Sequence, residues 1–270
     1  MIAPRALALD LDGTLLGPDD AVSPRNRAAV HAAAAAGWHV ILATARWYQL
    51  AERTARELGL TDPVIACSGA EVRRLHDGAD LLDVRLPGRF VEELYRMCDA
   101  ADGTVMAYQD HDVVLRRAVA PSRTAPELRH VTSLVGTAEP APRSVLVFGA
   151  ELSDRVVADF EHEWRDDVRF LNSMTGRGRR ALTLTGSQAD KGLALAVACN
   201  DVGIDVSEVV AMGDSETDVE MFRVAGASVA MGQAVASVRA AASWTTTAHD
   251  GDGVGRAVER LLQGEEPGSS

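Results

Sequence analysis

The sequence predicts an α/β protein: a doubly wound, Rossmann-like parallel sheet interrupted by an inserted α+β domain. Three observations carry that prediction. Short apolar runs alternate with helix-length segments from Ala6 to Ala66, the rhythm changes to strands with few helices between about Leu86 and Thr185, and the first rhythm returns from Lys191. Apolar runs this short, bounded by turn signals, read as strands buried on both faces, and their alternation with helices makes β-α-β units of a parallel sheet.

Ala6–Leu9 is the first strand; it ends in Asp10 and Asp12, with Gly13-Thr14 directly after. Ser23 caps the first helix, Pro24 is its first residue, and Gly37 closes it after an alanine-rich run. His39–Leu42 is the next strand and runs into Ala43-Thr44-Ala45-Arg46. A helix over about Trp47–Leu58 stops at Gly59, and strand Val64–Ala66 leads to Cys67-Ser68-Gly69-Ala70. Val72–Leu75 and Leu81–Val84 flank Asp77-Gly78 as a hairpin.

Within the insertion, Gly88–Ala101 is helical, and Thr104–Tyr108 pairs with Val113–Arg116 around Asp110-His111-Asp112. A loop containing Pro121, Pro126, Pro140 and Pro142 leads to strand Ser144–Phe148. Helix Ser153–Trp164, strand Val168–Leu171 and the alternating strand Ala181–Thr185 follow. Beyond it come helix Lys191–Asp201, strand Val209–Met212, helix Val219–Val224, strand Ser228–Ala230, helix Ala234–Ala240, strand Ser243–Thr247 and helix Val254–Leu262. Gly264–Ser270 reads as a frayed tail. The expected division is a core of residues 1–85 and 186–270 with an inserted domain of residues 86–185.

A chain of 270 residues, 47% hydrophobic and 24% charged, is globular in composition. No window approaches about 18 uninterrupted apolar residues, so no membrane span is expected. The opening Met1-Ile2-Ala3-Pro4-Arg5 lacks the pattern of a signal peptide. Cys67, Cys98 and Cys199 are odd in number and widely spaced, which suits buried free thiols in a reducing cytoplasm. A net charge of −12 argues against nucleic acid as the main partner. It also means that any anionic substrate must be met by local cations.

Three core strands end in polar clusters: Asp10 and Asp12, Thr44 and Arg46, Asp214 and Asp218. Parallel strands bring these ends to one edge of the sheet, where open α/β sheets bind their ligands. Lys191 opens the helix before the last of these strands. Paired carboxylates, a hydroxyl and an ammonium suit phosphoryl transfer, with the carboxylates holding Mg2+ and Thr44 and Lys191 binding phosphoryl oxygens. An EF-hand calcium loop does not fit, because Gly13 directly follows Asp12. Ser215 lacks the second glycine of a nucleophile elbow.

Asp-Leu-Asp-Gly-Thr-Leu-Leu, then Thr44, Lys191 with Gly192, and Gly213-Asp214-x-x-x-Asp218 resemble the four ordered motifs of the haloacid dehalogenase (HAD) superfamily. The insertion resembles the type II cap of its Cof-like sugar-phosphatase branch. The resemblance implies that Asp10 is the nucleophile, forming an aspartyl-phosphate, and that Asp12 is the general acid and base. It implies Mg2+ held by Asp10, the Asp12 backbone carbonyl, Asp214 and Asp218, and phosphate bound by Gly13, Thr44, Ala45, Arg46 and Lys191. The expected activity is hydrolysis of small phosphate monoesters, sugar phosphates first. A phosphomutase of the same fold, or action on flavin-precursor or nucleotide phosphates, stays open, and so does a non-catalytic regulator, against which Asp12 counts.

The sequence departs from the family at Thr217, where an Asn is usual, at Ala45, where a Gly is usual, and at Ser68, where the branch often has Asn. The cap is expected to set specificity. Arg177, Arg179 and Arg180, in Thr175-Gly176-Arg177-Gly178-Arg179-Arg180, are its candidates for a second anionic group or sugar hydroxyls. A monomer or homodimer is expected.

Overall fold

The computed structural model describes residues 4–101, 103–110, 112–117, 128–174 and 180–265. In chain order, β1 (Ala6–Leu9), α1 (Pro24–Ala35), β2 (His39–Ala43), α2 (Tyr48–Glu57), β3 (Val64–Ala66), β4 (Glu71–Arg73) and β5 (Asp80–Asp83) come first. Next are α3 (Gly88–Ala100), β6 (Thr104–Tyr108), β7 (Val113–Arg116), β8 (Leu128–Val131), β9 (Ser144–Phe148), α4 (Ala150–Trp164), β10 (Val168–Met174) and β11 (Arg180–Gly186). The chain then forms α5 (Lys191–Val202), β12 (Val209–Gly213), α6 (Val219–Val224), β13 (Ala227–Ala230), α7 (Ala236–Ala241), β14 (Trp244–Thr245) and α8 (Gly253–Leu262). It divides into two compact units, one ending at Leu82 and resuming at Asp190, the other running from Asp83 to Ala189. Among the described residues, no helix is long and apolar enough to cross a membrane.

The first unit is built on an eight-stranded sheet of order β14-β13-β12-β1-β2-β3-β4-β5. Its strands are parallel from β14 through β3, and β4 turns antiparallel against β3. β1 is central because both its faces can be covered: Ala6 and Ala8 pack with Ile41, Ala211, Leu195 and Phe222, while Leu7 and Leu9 are buried opposite. Each fully buried leucine is worth roughly 1.5–3 kcal/mol relative to exposure. The chain winds one way from β1 through β2 to β3 and the other way from β12 through β13 to β14. The reversal between β1 and β12 leaves a crevice outside the carboxyl ends of these two strands. Leu9 lies opposite Leu42 on one side and Met212 on the other, so the three chains leave the sheet side by side.

The chain's first and last helices, α1 and α8, are cross-linked by a buried amide. Ser23 caps α1 as predicted, accepting from Asn26 N. Asn26, itself buried, donates to the Leu15 carbonyl at 3.2 Å and accepts from Gly255 N at 2.9 Å. Asn26→Ala strands both groups, and unsatisfied buried partners cost about 1–3 kcal/mol each. A loss of about 2–4 kcal/mol in urea unfolding is expected; a change under about 0.5 kcal/mol would remove this link.

The second unit carries a six-stranded sheet of order β10-β11-β9-β6-β7-β8, antiparallel except where β8 runs parallel to β7. Its helices α3 and α4 bury Phe90, Leu94, Val156 and Phe160 with Val105, Val145 and Leu182 of the sheet. Phe160, Trp164 and Phe170 surround Phe90 edge-on at 5.4–6.1 Å.

Two local readings are corrected. Leu128–Val131 falls in the segment read as loop but forms β8, because β7 offers it an open ladder that its own mixed pattern does not advertise. α4 begins at Ala150 rather than at Ser153. Gly149, at φ 103°, supplies its N-cap, and buried Ser153 donates to the Val147 carbonyl instead. Pro121, Pro126 and His111 lie outside the described residues.

Candidate active site

Asp10 leaves β1 with its backbone N–H on the Met212 carbonyl at 3.0 Å, so the register of β1 against β12 sets its height. Gly13, three residues on, has φ +78°, and a Cβ there would lie 2.3 Å from Asp214 Oδ2. The glycine of the first motif is therefore required twice, by conformation and by the carboxylate against it. Gly213 is required for space alone, since its Cβ would lie 2.3 Å from that of Asp218.

Lys191 is the first residue of α5, whose N-cap Asp190 accepts from Leu193 N. Its backbone N–H donates to Glu220 Oε2 at 2.8 Å, and Gly192 packs where a Cβ would lie 2.5 Å from the Glu220 carbonyl. Gly69 lets the loop after β3 approach the same helix end, where a Cβ would lie 2.5 Å from the Asp190 backbone. Held in this way, the Lys191 ammonium is buried and donates to Asp10 Oδ1 at 2.8 Å and Asp218 Oδ1 at 2.6 Å.

Asp218 is fully buried, and its other oxygen accepts from Asp214 N, Ser215 N and Ser215 Oγ at 2.8–3.0 Å. The turn Ser215–Asp218 is a capping box, a pattern visible as Ser-x-x-Asp but not singled out in the sequence. Thr217, at the family's Asn position, shares a 2.9 Å contact between hydroxyls with Ser215. Glu220 has no sequence signal, because its role exists only when α6 lies beside α5.

Asp10, Asp214 and Asp218 offer oxygens all within 4.8 Å of one another. Burial, then the charge of Asp218, holds the Asp10 carboxyl well above its usual range despite Lys191. Burial and the same neighbour push Asp214 up to about 6. Burial alone would lower the Lys191 pKa, but the charges of Asp10 and Asp218 together outweigh it and raise it. Three carboxylates against one ammonium leave this pocket two positive charges short. Hard oxygen donors with unbalanced negative charge suit a divalent cation such as Mg2+.

Thr44 ends β2 with its hydroxyl buried, accepting from Arg46 N at 3.1 Å. Ala45 is exposed and is not among the residues of positive φ, so its methyl stands at the family's glycine position without strain. By contrast Cys67 and Ser68 have φ of 50° and 57°, tied by their N–H groups to the Arg46 and Thr44 carbonyls. Arg46 is a clamp on carboxylates. It donates to both Asp12 oxygens at 2.8 and 2.5 Å and to Asp20 at 2.6 Å, which raises its pKa. Asp20 was not anticipated, since nothing in its local sequence marks it.

Asp12 faces solvent, its side chain 54% exposed, with its carboxylate free of the Lys191 cluster. In the second unit Arg180 pairs with Asp154 at 2.7 Å and donates to Asn172 at 3.0 Å. Arg177 and Arg179 lie outside the described residues. Asp110 pairs with Arg85.

The sequence pattern of haloacid dehalogenase-like hydrolases matches residues 7–258. A 5-amino-6-(5-phospho-D-ribitylamino)uracil phosphatase of Bacillus subtilis is 25% identical, with 97% of this chain and 99% of that protein covered. A pyridoxal phosphate phosphatase of Escherichia coli is 26% identical over 88% of this chain and 92% of its own length. Among solved structures, a haloacid dehalogenase-like hydrolase from Bacteroides thetaiotaomicron superposes with a TM-score of 0.82 at 24% identity, covering 96% of this chain and 99% of that one. A HAD subclass IIB sugar phosphatase superposes at 0.78 with 22% identity, covering 96% and 99% of the two chains.

Proposed function

This chain belongs to the haloacid dehalogenase-like hydrolase family, and from that premise we propose a Mg2+-dependent phosphatase of small phosphorylated metabolites, sugar phosphates first. One observation carries the reading: a buried lysine bridges Asp10 and Asp218 with Asp214 in the same cluster. That proximity supports reading Asp10 as the nucleophile, the acidic cluster as the cation site and the Lys191 ammonium as a phosphate-binding group.

In the first step an Asp10 oxygen attacks phosphorus, the bond from phosphorus to the substrate oxygen breaks, and Asp12 gives that oxygen a proton. In the second, Asp12 takes a proton from water as the water oxygen attacks phosphorus, releasing inorganic phosphate and restoring Asp10. Lys191 donates to the phosphoryl oxygens in both, and a covalent route divides one high barrier into two lower ones. Thr44 and the backbone of Gly13 and Ala45 are proposed to contact the same phosphoryl group. Arg46 donates to both Asp12 oxygens, each of which keeps a second lone pair for a proton, and Asp20 gives the guanidinium a further partner. Mg2+, when bound, would be held by Asp10, Asp214 and the Asp12 carbonyl and would neutralise charge on the phosphoryl oxygens. Asp218, whose oxygens already accept four hydrogen bonds, adds charge at short range and holds Lys191.

The second unit is proposed as the specificity cap, with Arg177, Arg179 and Arg180 as candidate contacts. A cytoplasmic setting is supported by three buried cysteines that form no disulfide among the described residues. Three relatives are named for phosphatase activity on 5-amino-6-(5-phospho-D-ribitylamino)uracil, which favours adding that compound to the candidate substrates. The test is release of inorganic phosphate from a panel of sugar, flavin-precursor, pyridoxal and glycolate phosphates with Mg2+ and without it. No release from any member would overturn the reading.

Asp214→Ala is expected to raise the magnesium requirement at least about tenfold, and an unchanged titration curve would remove Asp214 from the metal site. With Asp214 titrating at about 6, protons compete with the cation at lower pH. Because the Asp10 carboxyl is also held above its usual range, apparent affinity is expected to fall as pH falls through 6.

A further inference from the structure

We infer that Gln233 is a positioning residue for the metal site, an amide that sets the orientation of the Asp214 carboxylate. The inference rests on the proposed role of Asp214 as a cation ligand. Gln233 follows β13 in Met231-Gly232-Gln233-Ala234, a segment with no motif of its own in the four-motif reading.

Its side chain connects three loops at the carboxyl edge of the sheet. Nε2 donates to the Gly13 carbonyl at 2.5 Å and lies 3.3 Å from Asp214 Oδ2. Oε1 accepts from the His249 backbone N–H at 3.1 Å. The chemistry fixes the amide's direction: a carbonyl and a carboxylate can only accept, and a backbone N–H can only donate. Both N–H groups and the carbonyl are thus committed, each to a different loop.

Asp214 Oδ2 is confined from two sides. The α-carbon of Gly13 leaves room for it only because no Cβ is present, and the Gln233 amide donates to the same oxygen. Holding Oδ2 from two sides in this way fixes the plane of the carboxylate and with it the direction of both oxygens. The same amide ties Gly13, one residue after the Asp12 carbonyl, to Asp214, so two candidate ligand loops are set by a single side chain. Groups that orient metal ligands through hydrogen bonds typically change affinity by about 10–100-fold when removed. Gln233 is exposed, so its removal is not expected to impair folding.

The test is Gln233→Met, which keeps length and volume and removes every hydrogen bond. Metal-free protein, without substrate, is titrated with Mn2+ by electron paramagnetic resonance, with Mg2+ as competitor. Wild type, Gln233→Met, Gln233→Ala and Asp214→Ala are compared. Both Gln233 variants are expected to bind about tenfold more weakly than wild type, with the thermal midpoint of the metal-free protein unchanged. Weakened binding in Asp214→Ala with wild-type binding in both Gln233 variants would overturn the role of Gln233 alone. Equal binding by wild type and Asp214→Ala, or no binding by the wild type, would overturn the metal assignment and this inference with it.

Discussion

Replacing Asp10 by Asn is expected to reduce kcat by at least about 10⁴-fold while a phosphorylated substrate still binds. The amide keeps the size of the carboxylate, and its oxygen can still accept from Lys191. What it loses is nucleophilicity and one unit of negative charge. Under the covalent route no aspartyl-phosphate forms, so single-turnover experiments should show no burst of the released alcohol. Binding is read separately, by equilibrium titration with substrate that the variant does not consume. A variant retaining near-normal turnover would remove Asp10 as nucleophile, whatever its effect on metal binding.

Lys191→Met is expected to damage both chemistry and stability. The ammonium is the single basic group hydrogen-bonded to Asp10 and Asp218 among the described residues. Removing it leaves buried carboxylates facing one another, and breaking a buried ion pair on one side typically costs about 3–5 kcal/mol. Turnover should fall by about 10²–10³-fold or more, the scale of losing one preorganised donor to the transition state. The stability loss has a diagnostic pH dependence. In the native state Asp10 and Asp214 already sit above their ordinary carboxylate range, so the folded form takes up protons before the unfolded form does. Stability of the metal-free protein is therefore lost as pH rises from about 4 through 6, and regained on acidification over the same window. Without Lys191 the repulsion is larger, so the variant's deficit in urea unfolding should be widest near pH 7 and narrow toward pH 5. A deficit independent of pH would mean that Lys191 acts through packing alone.

The parts of the site legible in the sequence are those written locally. Asp10, Asp12 and Gly13 sit where a strand stops; Asp214 and Asp218 sit beyond another; Lys191 starts a helix behind a capping Asp190. The elements were legible for a related reason: the strands are apolar on both sides because both faces of the sheet are covered. β8 was not, since Leu128–Val131 has mixed polarity and becomes a strand through a neighbour far along the chain. Arg46 shows the same limit at the site. Its place after Thr44 marks it for phosphate, but its guanidinium spans Asp12 and Asp20, a partner no spacing rule points to.

What the sequence alone determined is the kind of protein and its reactive inventory, because periodicity, capping and motif order are properties of neighbouring residues. The orientation of those groups was decided by the tertiary structure. Which carboxylate takes the lysine and which is clamped by an arginine depend on approaches of a few ångströms between residues 181 and 34 positions apart. Electrostatic and hydrogen-bond energies change steeply over such distances, and sequence separation carries no information about them.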